Sequence, residues 1–155
     1  MEPLHPRIRV EWILSGLVTA LVLAVAVAVA GSTLAPDRVP GYLPFVVGVI
    51  VGTVGVLHAF ARFDRWRYDL QDDALYLERG VLTQVETAVP FVRVQHVDTQ
   101  RGPIDRLLGL ASVVVYTAGS RGADVTVPGL TPERAGELRN RLRELAIESE
   151  PDDGV

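Results

Sequence analysis

The chain, 155 residues long, contains no cysteine. Disulfides and thiolate metal sites are thereby excluded, and a reducing compartment fits. Lysine is absent too. Each of the 15 basic residues is arginine, which reads as a bias of the source genome, since no single function requires it. Histidine is scarce: His5, His58 and His96 are scattered and form no His-x-x-x-His spacing, so no metal site is expected. No glycine-rich phosphate loop occurs. The serines (Ser15, Ser32, Ser112, Ser120, Ser149) lack a nucleophile-elbow motif. The residues therefore lead to no catalytic centre and no cofactor. Basic excess is missing as well: from Arg62 to Val155 there are 12 arginines against 16 acidic residues, a net of −4. Nucleic acid would require the opposite balance.

Long apolar runs are what the chain does have. Trp12 to Ala30 is 19 residues without a charge, and Tyr42 to Ala61 is 20. At about 1.5 Å per residue, each would span roughly 28–30 Å as a helix, close to the hydrocarbon thickness of a bilayer. Two buried core helices are the alternative, but so short a chain lacks the surface to enclose them. A cleaved signal peptide ending in "AVAVAG" is a second alternative, set against a first run that is long for a signal core and a second span that follows it. The alternation in Ala24–Ala30 has no polar face. In lipid only a helix satisfies its own backbone, so the helix is preferred.

Arginines set the orientation. Arg7 and Arg9 precede the first span, Arg62, Arg65 and Arg67 follow the second, and the connecting loop carries only Arg38, offset by Asp37. The positive-inside rule puts both termini in the cytoplasm, at the inner membrane, with a short external loop. Gly16, Ala20, Ala24 and Ala28 form one small-residue ridge, and Gly48, Gly52 and Gly55 another. Such ridges let helix backbones approach closely in lipid. His58 reads as an interfacial residue.

After Arg62 the pattern changes to period two. "RWRYDL", "ALYLER", "VLTQVETAV", "FVRVQHVDT", "SVVVYTA" and "DVTVPG" read as six strands, separated by "QDD", Gly80, Pro90 and "GSRGA". A helix closes the chain. Thr131 is its N-cap and Pro132 its first residue, with an apolar stripe of Ala135, Leu138, Leu142 and Leu145 and an exposed Glu137–Arg141 pair. "ESEPDDGV" is an acidic tail of disordered composition. The expected organisation is a cytoplasmic segment 1–11, transmembrane helices 12–30 and 42–61 joined by an external loop 31–41, a cytoplasmic domain 62–147 and a tail 148–155.

The stretch "ALYLERGVLTQVETAVPFVRVQHVDTQRGPIDRLLGLASVVVYTAG" resembles the bacterial pleckstrin-homology-like (PH-like) domain of YdbS-type membrane proteins. The matching pieces are Arg79–Gly80, Pro90, "RVQHV", "GP" and "RLLGL". The resemblance covers residues 65–145, and the two preceding spans suit it. It implies a membrane-anchored α+β protein: a two-helix transmembrane hairpin, then a PH-like antiparallel β-barrel of seven strands with a C-terminal capping helix. The period-two reading finds six, so one strand is either missing or hidden within 91–104.

Arg93 to Val113 is the densest polar stretch. His96 as a base oriented by Asp98 would be the enzymatic reading, since strand positions two apart share a face. No nucleophile accompanies the pair. Architecture explains more: Gly102 and Pro103 turn the chain, Leu107, Leu108 and Leu110 plug the core, and Gly109 takes a positive φ. Arg93, Gln95 and Arg106 would then meet backbone carbonyls. The corner formed by Arg93, Gln95, His96, Gly102, Pro103, Arg106 and Gly109 is the candidate interaction motif. Specific phosphoinositide binding would need a basic first hairpin loop, but that loop is "QDD". The expected function is a non-enzymatic membrane protein that presents a PH-like domain to protein partners or copies of itself. The alternative is a module that senses or organises the cytoplasmic leaflet.

Overall fold

A computed structural model describes residues 1–34, 38–118 and 124–149. The "GSRGA" turn, part of the interhelical loop and all of the acidic tail after Ser149 lie outside the described residues. The chain divides into two compact units, Arg9–Asp64 and Met1–Ile8 with Arg65–Val155.

The first of these units holds two helices, α1 (Ile8–Leu34) and α2 (Leu43–Arg65), both long and apolar enough to cross a membrane and with few buried side chains. They outrun the uncharged stretches because the added charges sit at one end and find partners there. The Arg9 guanidinium lies 3.8 Å from the centre of the Phe63 ring and pairs with Asp64 at 3.7 Å, while that of Arg62 lies 4.2 Å from the Trp12 ring. Inside the apolar length, the Ser15 and Thr19 hydroxyls donate to the carbonyls of Trp12 and Ser15, both at 2.9 Å, which keeps them satisfied without water. The helices run antiparallel with their small residues facing each other. A Cβ on Gly48 would stand 3.3 Å from the Ala24 Cβ, and one on Gly52 3.7 Å from the Ala20 Cβ. The closest approach is Gly16 to Gly55, where an added Cβ on Gly55 would meet the Gly16 Cα at 3.1 Å.

The other unit is built on seven strands among the described residues. β1 (Glu2–Pro3), β2 (Arg67–Leu70), β3 (Ala74–Arg79) and β4 (Val85–Pro90) form one antiparallel sheet in that order. β5 (Val94–Gln100), β6 (Ala111–Thr117) and β7 (Val125–Leu130) form a second. These are two sheets rather than a closed barrel. Pro90 ends β4 and has no N–H to carry a ladder further, and Phe91–Arg93 form a 3₁₀ turn that sends the chain into the second sheet. That turn also removes "FVR" from the expected fourth strand. The expected third strand is shortened at its start, because Gly80 adopts φ +110° and Val81–Gln84 becomes a turn. A Cβ at Gly80 would fall 1.9 Å from the Thr83 carbonyl oxygen.

The seventh strand is not hidden in 91–104. It is β1, which pairs Glu2 with Tyr68 and Pro3 with Arg67. The segment before α1, together with the first residue of that helix, is thereby part of the domain: Leu4 and Ile8 are buried in its core, and the His5 N–H donates to the Gly129 carbonyl at 2.8 Å. Phe91, Leu75, Leu77, Leu110, Val113, Val115 and Val127 complete that core.

A single C-terminal helix, α4 (Pro132–Glu148), packs against β5 and β6 through Ala135, Leu138 and Leu142. The Thr131 hydroxyl accepts from the Arg134 N–H at 3.2 Å, as an N-cap should. Glu137 does not pair forward with Arg141. It pairs back with Arg134 at 3.1 Å, and Arg141 pairs with Glu144 at 3.3 Å. Arg134 also binds Glu2, to which the Tyr68 hydroxyl donates at 2.9 Å. The Arg134 guanidinium holds the Glu2 carboxyl below its ordinary value, against the opposing effect of burial. Burial, then the hydrogen bond to Glu2, pushes the Tyr68 hydroxyl up to about 12.

Three outcomes are expected. Gly55→Ile should separate the helices and lower stability in detergent by about 1–2 kcal/mol, whereas Gly52→Ala should be near neutral; equal melting temperatures for Gly55→Ile and wild type would show the contact to be idle. Glu2→Gln should destabilise the full chain by less than about 1 kcal/mol at neutral pH, because the pair is half exposed. A depressed carboxyl stabilises the fold above its unfolded value and loses that contribution as pH falls through the folded one. The melting difference should therefore close below the ordinary 4.5, and a difference that widened with acid would reverse the assignment. Gly109→Val should destabilise the full chain by about 1–3 kcal/mol through positive-φ strain. A melting temperature equal to wild type would remove that strain from the account.

Candidate functional site

The polar corner begins with an irregularity in β5. The register against β6 shifts between Val94 and His96, leaving Gln95 as an extra residue, and such bulges re-aim side chains. His96 pairs across the sheet with Tyr116, their ring centres 5.9 Å apart, and its Nε2 lies 2.8 Å from the Asp98 Oδ1. The period-two expectation that these two residues meet is met. Gln100 donates to the Tyr116 hydroxyl at 3.4 Å, on the same cross-strand patch.

The chain then turns through α3 (Pro103–Leu108). Gly102 is its N-cap, and the Asp105 carboxylate accepts from the Gly102 N–H at 2.9 Å. Gly109 closes the helix in the left-handed region, at φ 65° and ψ 38°, and the Leu110 N–H returns to the Asp105 carbonyl at 2.7 Å. Two of the corner's carbonyls are held by arginines other than those expected. Arg7 Nη1 donates to the Leu108 carbonyl at 3.2 Å and Arg101 Nε to that of Leu110, also at 3.2 Å. Arg93 contributes through its main chain, its carbonyl accepting from the Ala118 N–H at 2.8 Å. Arg93, Gln95 and Arg106 do not meet corner carbonyls with their side chains, because Arg7 and Arg101 occupy those positions. Among the three expected core plugs, Leu110 is buried, Leu108 half-buried and Leu107 exposed.

Between β5 and α4 lies a groove of about 720 Å³. Gln95, His96 and Asp98 line one wall, Arg139, Asn140 and Arg143 the other, and Val92 and Ile147 add apolar surface. Arg139 is steadied by the Asn140 side-chain oxygen at 3.1 Å, and Arg143 is exposed. The two walls are about 40 residues apart in sequence, so only the α4 packing brings them together. The solvent-facing period of α4 could have flagged Arg139 and Arg143, but nothing local links them to His96. β5 is also the end strand of its sheet.

Ser15, Ser32 and Ser149 donate their hydroxyls to helix carbonyls, Ser112 pairs with Gln100 at the far end of β5 from His96, and Ser120 lies outside the described residues. No three metal-ligating side chains cluster among the described residues. The arginines at the end of the spans are engaged locally: Arg62 stacks on Trp12, Arg65 Nη1 donates to the Val81 carbonyl at 2.8 Å, and Arg67 Nη1 to that of Trp66 at 3.1 Å. The "QDD" loop presents its acids outward, with Gln71 donating to Asp69 at 3.3 Å. A second cleft, of about 460 Å³, surrounds Glu2, Tyr68 and Arg134. The period-two reading overlooked it because Glu2 comes from beyond the first helix.

Comparison with known proteins agrees with this architecture. The family model described as a bacterial PH domain matches residues 12–146. The UPF0699 transmembrane protein YdbS of Bacillus subtilis (strain 168) is 34% identical over 87 residues, 56% of this chain. The matched region spans 53% of that relative's length. No solved structure gives a significant match. Two apolar helices followed by two packed sheets and a C-terminal helix make this chain a transmembrane member of the bacterial PH domain family.

Proposed function

We propose that the protein is a non-enzymatic, multi-pass protein of the cytoplasmic membrane whose domain binds protein partners or other copies of itself at the inner surface. The observation that carries this reading is the groove between β5 and α4. An end strand offers unpaired backbone groups to an added segment, and neighbouring side chains select it. Here the selecting groups are Arg139 and Arg143 on one wall and His96 and Asp98 on the other, with Val92 and Ile147 as apolar contacts. Two guanidiniums against one carboxylate favour an extended segment carrying acidic side chains. Cytoplasmic placement is supported by the arginines that flank the spans. The grouping of Met1–Ile8 with Arg65–Val155 in one compact unit supports the reading that both ends of the hairpin lie on one side.

The test is site-specific photocrosslinking of the full chain in cells. A crosslinking residue at Asn140 should capture a discrete partner or a second copy, and Arg139→Glu with Arg143→Glu should abolish that adduct while leaving the protein in the membrane. Capture that persists unchanged in the double variant would refute the groove as the binding surface.

A further inference from the structure

The arginines of α4 differ in what they touch. Arg134 and Arg141 line the cleft around Glu2, where Arg134 is held by Glu2 and Glu137 and Arg141 pairs with Glu144 at 3.3 Å. Arg139 and Arg143 line the groove beside β5 and are exposed. Arg139 has the Asn140 side-chain oxygen, and neither pairs with a carboxylate among the described residues. Ile147, the last α4 residue in the groove, stands one residue before the end of the helix. From there the sequence turns acidic, with Glu148, Glu150, Asp152 and Asp153. The C-terminal end of a helix carries partial negative charge, and the last turn of α4 has no basic residue to offset it. Counting back along α4, the cations without a carboxylate are Arg143 and Arg139. At about 1.5 Å per helical residue they lie roughly 9 and 15 Å before Ser149. An extended chain advances about 3.3 Å per residue, so Asp152 and Asp153 reach roughly 10 and 13 Å from Ser149, and the length of the Arg139 side chain covers the difference.

We infer that the acidic residues 150–153 are a ligand of the chain's own groove, their carboxylates meeting Arg143 and Arg139, and that a partner must displace them. The inference deepens the proposed function and rests on its reading of the groove as the seat of an acidic segment. Charge complementarity and chain continuity name the occupant. Guanidinium–carboxylate pairs are strong and directional, and a ligand tethered by a few residues acts at an effective concentration of about millimolar. Asp98, on the opposite wall, lies 2.8 Å from the His96 Nε2, which keeps that carboxylate occupied.

The absence of cysteine makes the test clean, since pairs of introduced thiols report proximity without background. In the full chain, Gly154→Cys is combined with Gln95→Cys on the β5 wall or with Gln84→Cys, an exposed position that does not line the groove. Under copper–phenanthroline oxidation the 95–154 pair should close into a monomeric disulfide about tenfold faster than the 84–154 pair, and Arg139→Glu with Arg143→Glu, or about 1 M salt, should erase that difference. Equal closure rates for the two pairs, or a difference that survives both treatments, overturns the inference. Disulfide-linked dimers in place of closed monomers also overturn it and assign the segment to the groove of a second copy. Removing residues 150–155 should raise partner capture at Asn140 by about threefold or more, and equal capture with and without them overturns the displacement. No capture by either chain, beside fast closure of the 95–154 pair, refutes the partner reading and supports the segment as the ligand of the groove.

Discussion

Burial of Leu4 and Ile8 inside the domain is the contact on which the rest of the structure depends. Leu4 precedes the first helix and Ile8 opens it, whereas the remainder of their core follows the second. The β1–β2 pairing, the bond from His5 to Gly129 and the Glu2–Arg134 pair reinforce the same closure. Residues before and after the two candidate spans thus share one core. The hairpin is thus a covalent loop in the domain's own topology as well as an anchor.

Within the helix pair, packing uses no hydrophobic driving force, since lipid solvates leucine as well as another helix does. Close backbone approach takes its place, and Gly16 against Gly55 is where that approach is tightest. Charge is confined to one end, where Arg9 and Arg62 lie over aromatic rings and keep their guanidiniums away from the apolar length. The domain follows the opposite rule. Its core is apolar burial, worth about 1.5–3 kcal/mol for each large side chain, and no polar or charged residue is buried among those described.

The corner from Arg93 to Val113 serves the architecture of the domain. Its glycines and Asp105 build a tight helix whose backbone is satisfied by Asp105, Arg7 and Arg101. This leaves His96, Asp98 and Gln95 free to face α4 across the groove. His96 and Asp98 lie 2.8 Å apart, and the register puts Ser112 at the other end of the strand pair. The same side chains, set among guanidiniums and valines, line the groove.

The sequence by itself determined everything governed by neighbours in the chain. Two apolar runs specify two spanning helices, Thr131–Pro132 starts α4, and Gly109 ends α3, because hydropathy, capping and positive φ act within a turn or two. The resemblance carried by "RVQHV" and "RLLGL" added the PH-like fold. Tertiary structure alone decided what depends on distant partners. A two-residue strand such as β1 has no period to detect, and it is a strand only because Arg67 and Tyr68 lie alongside. Leu107 follows the apolar pattern of a core residue, yet a six-residue helix held by its ends turns it outward. Arg7 and Arg101 were not the expected carbonyl partners, since their reach is set by where α3 comes to rest. The strands part into two sheets instead of closing because Pro90 and the following turn redirect the chain. The groove exists only once α4 has packed on β5, because its two walls share no local signal.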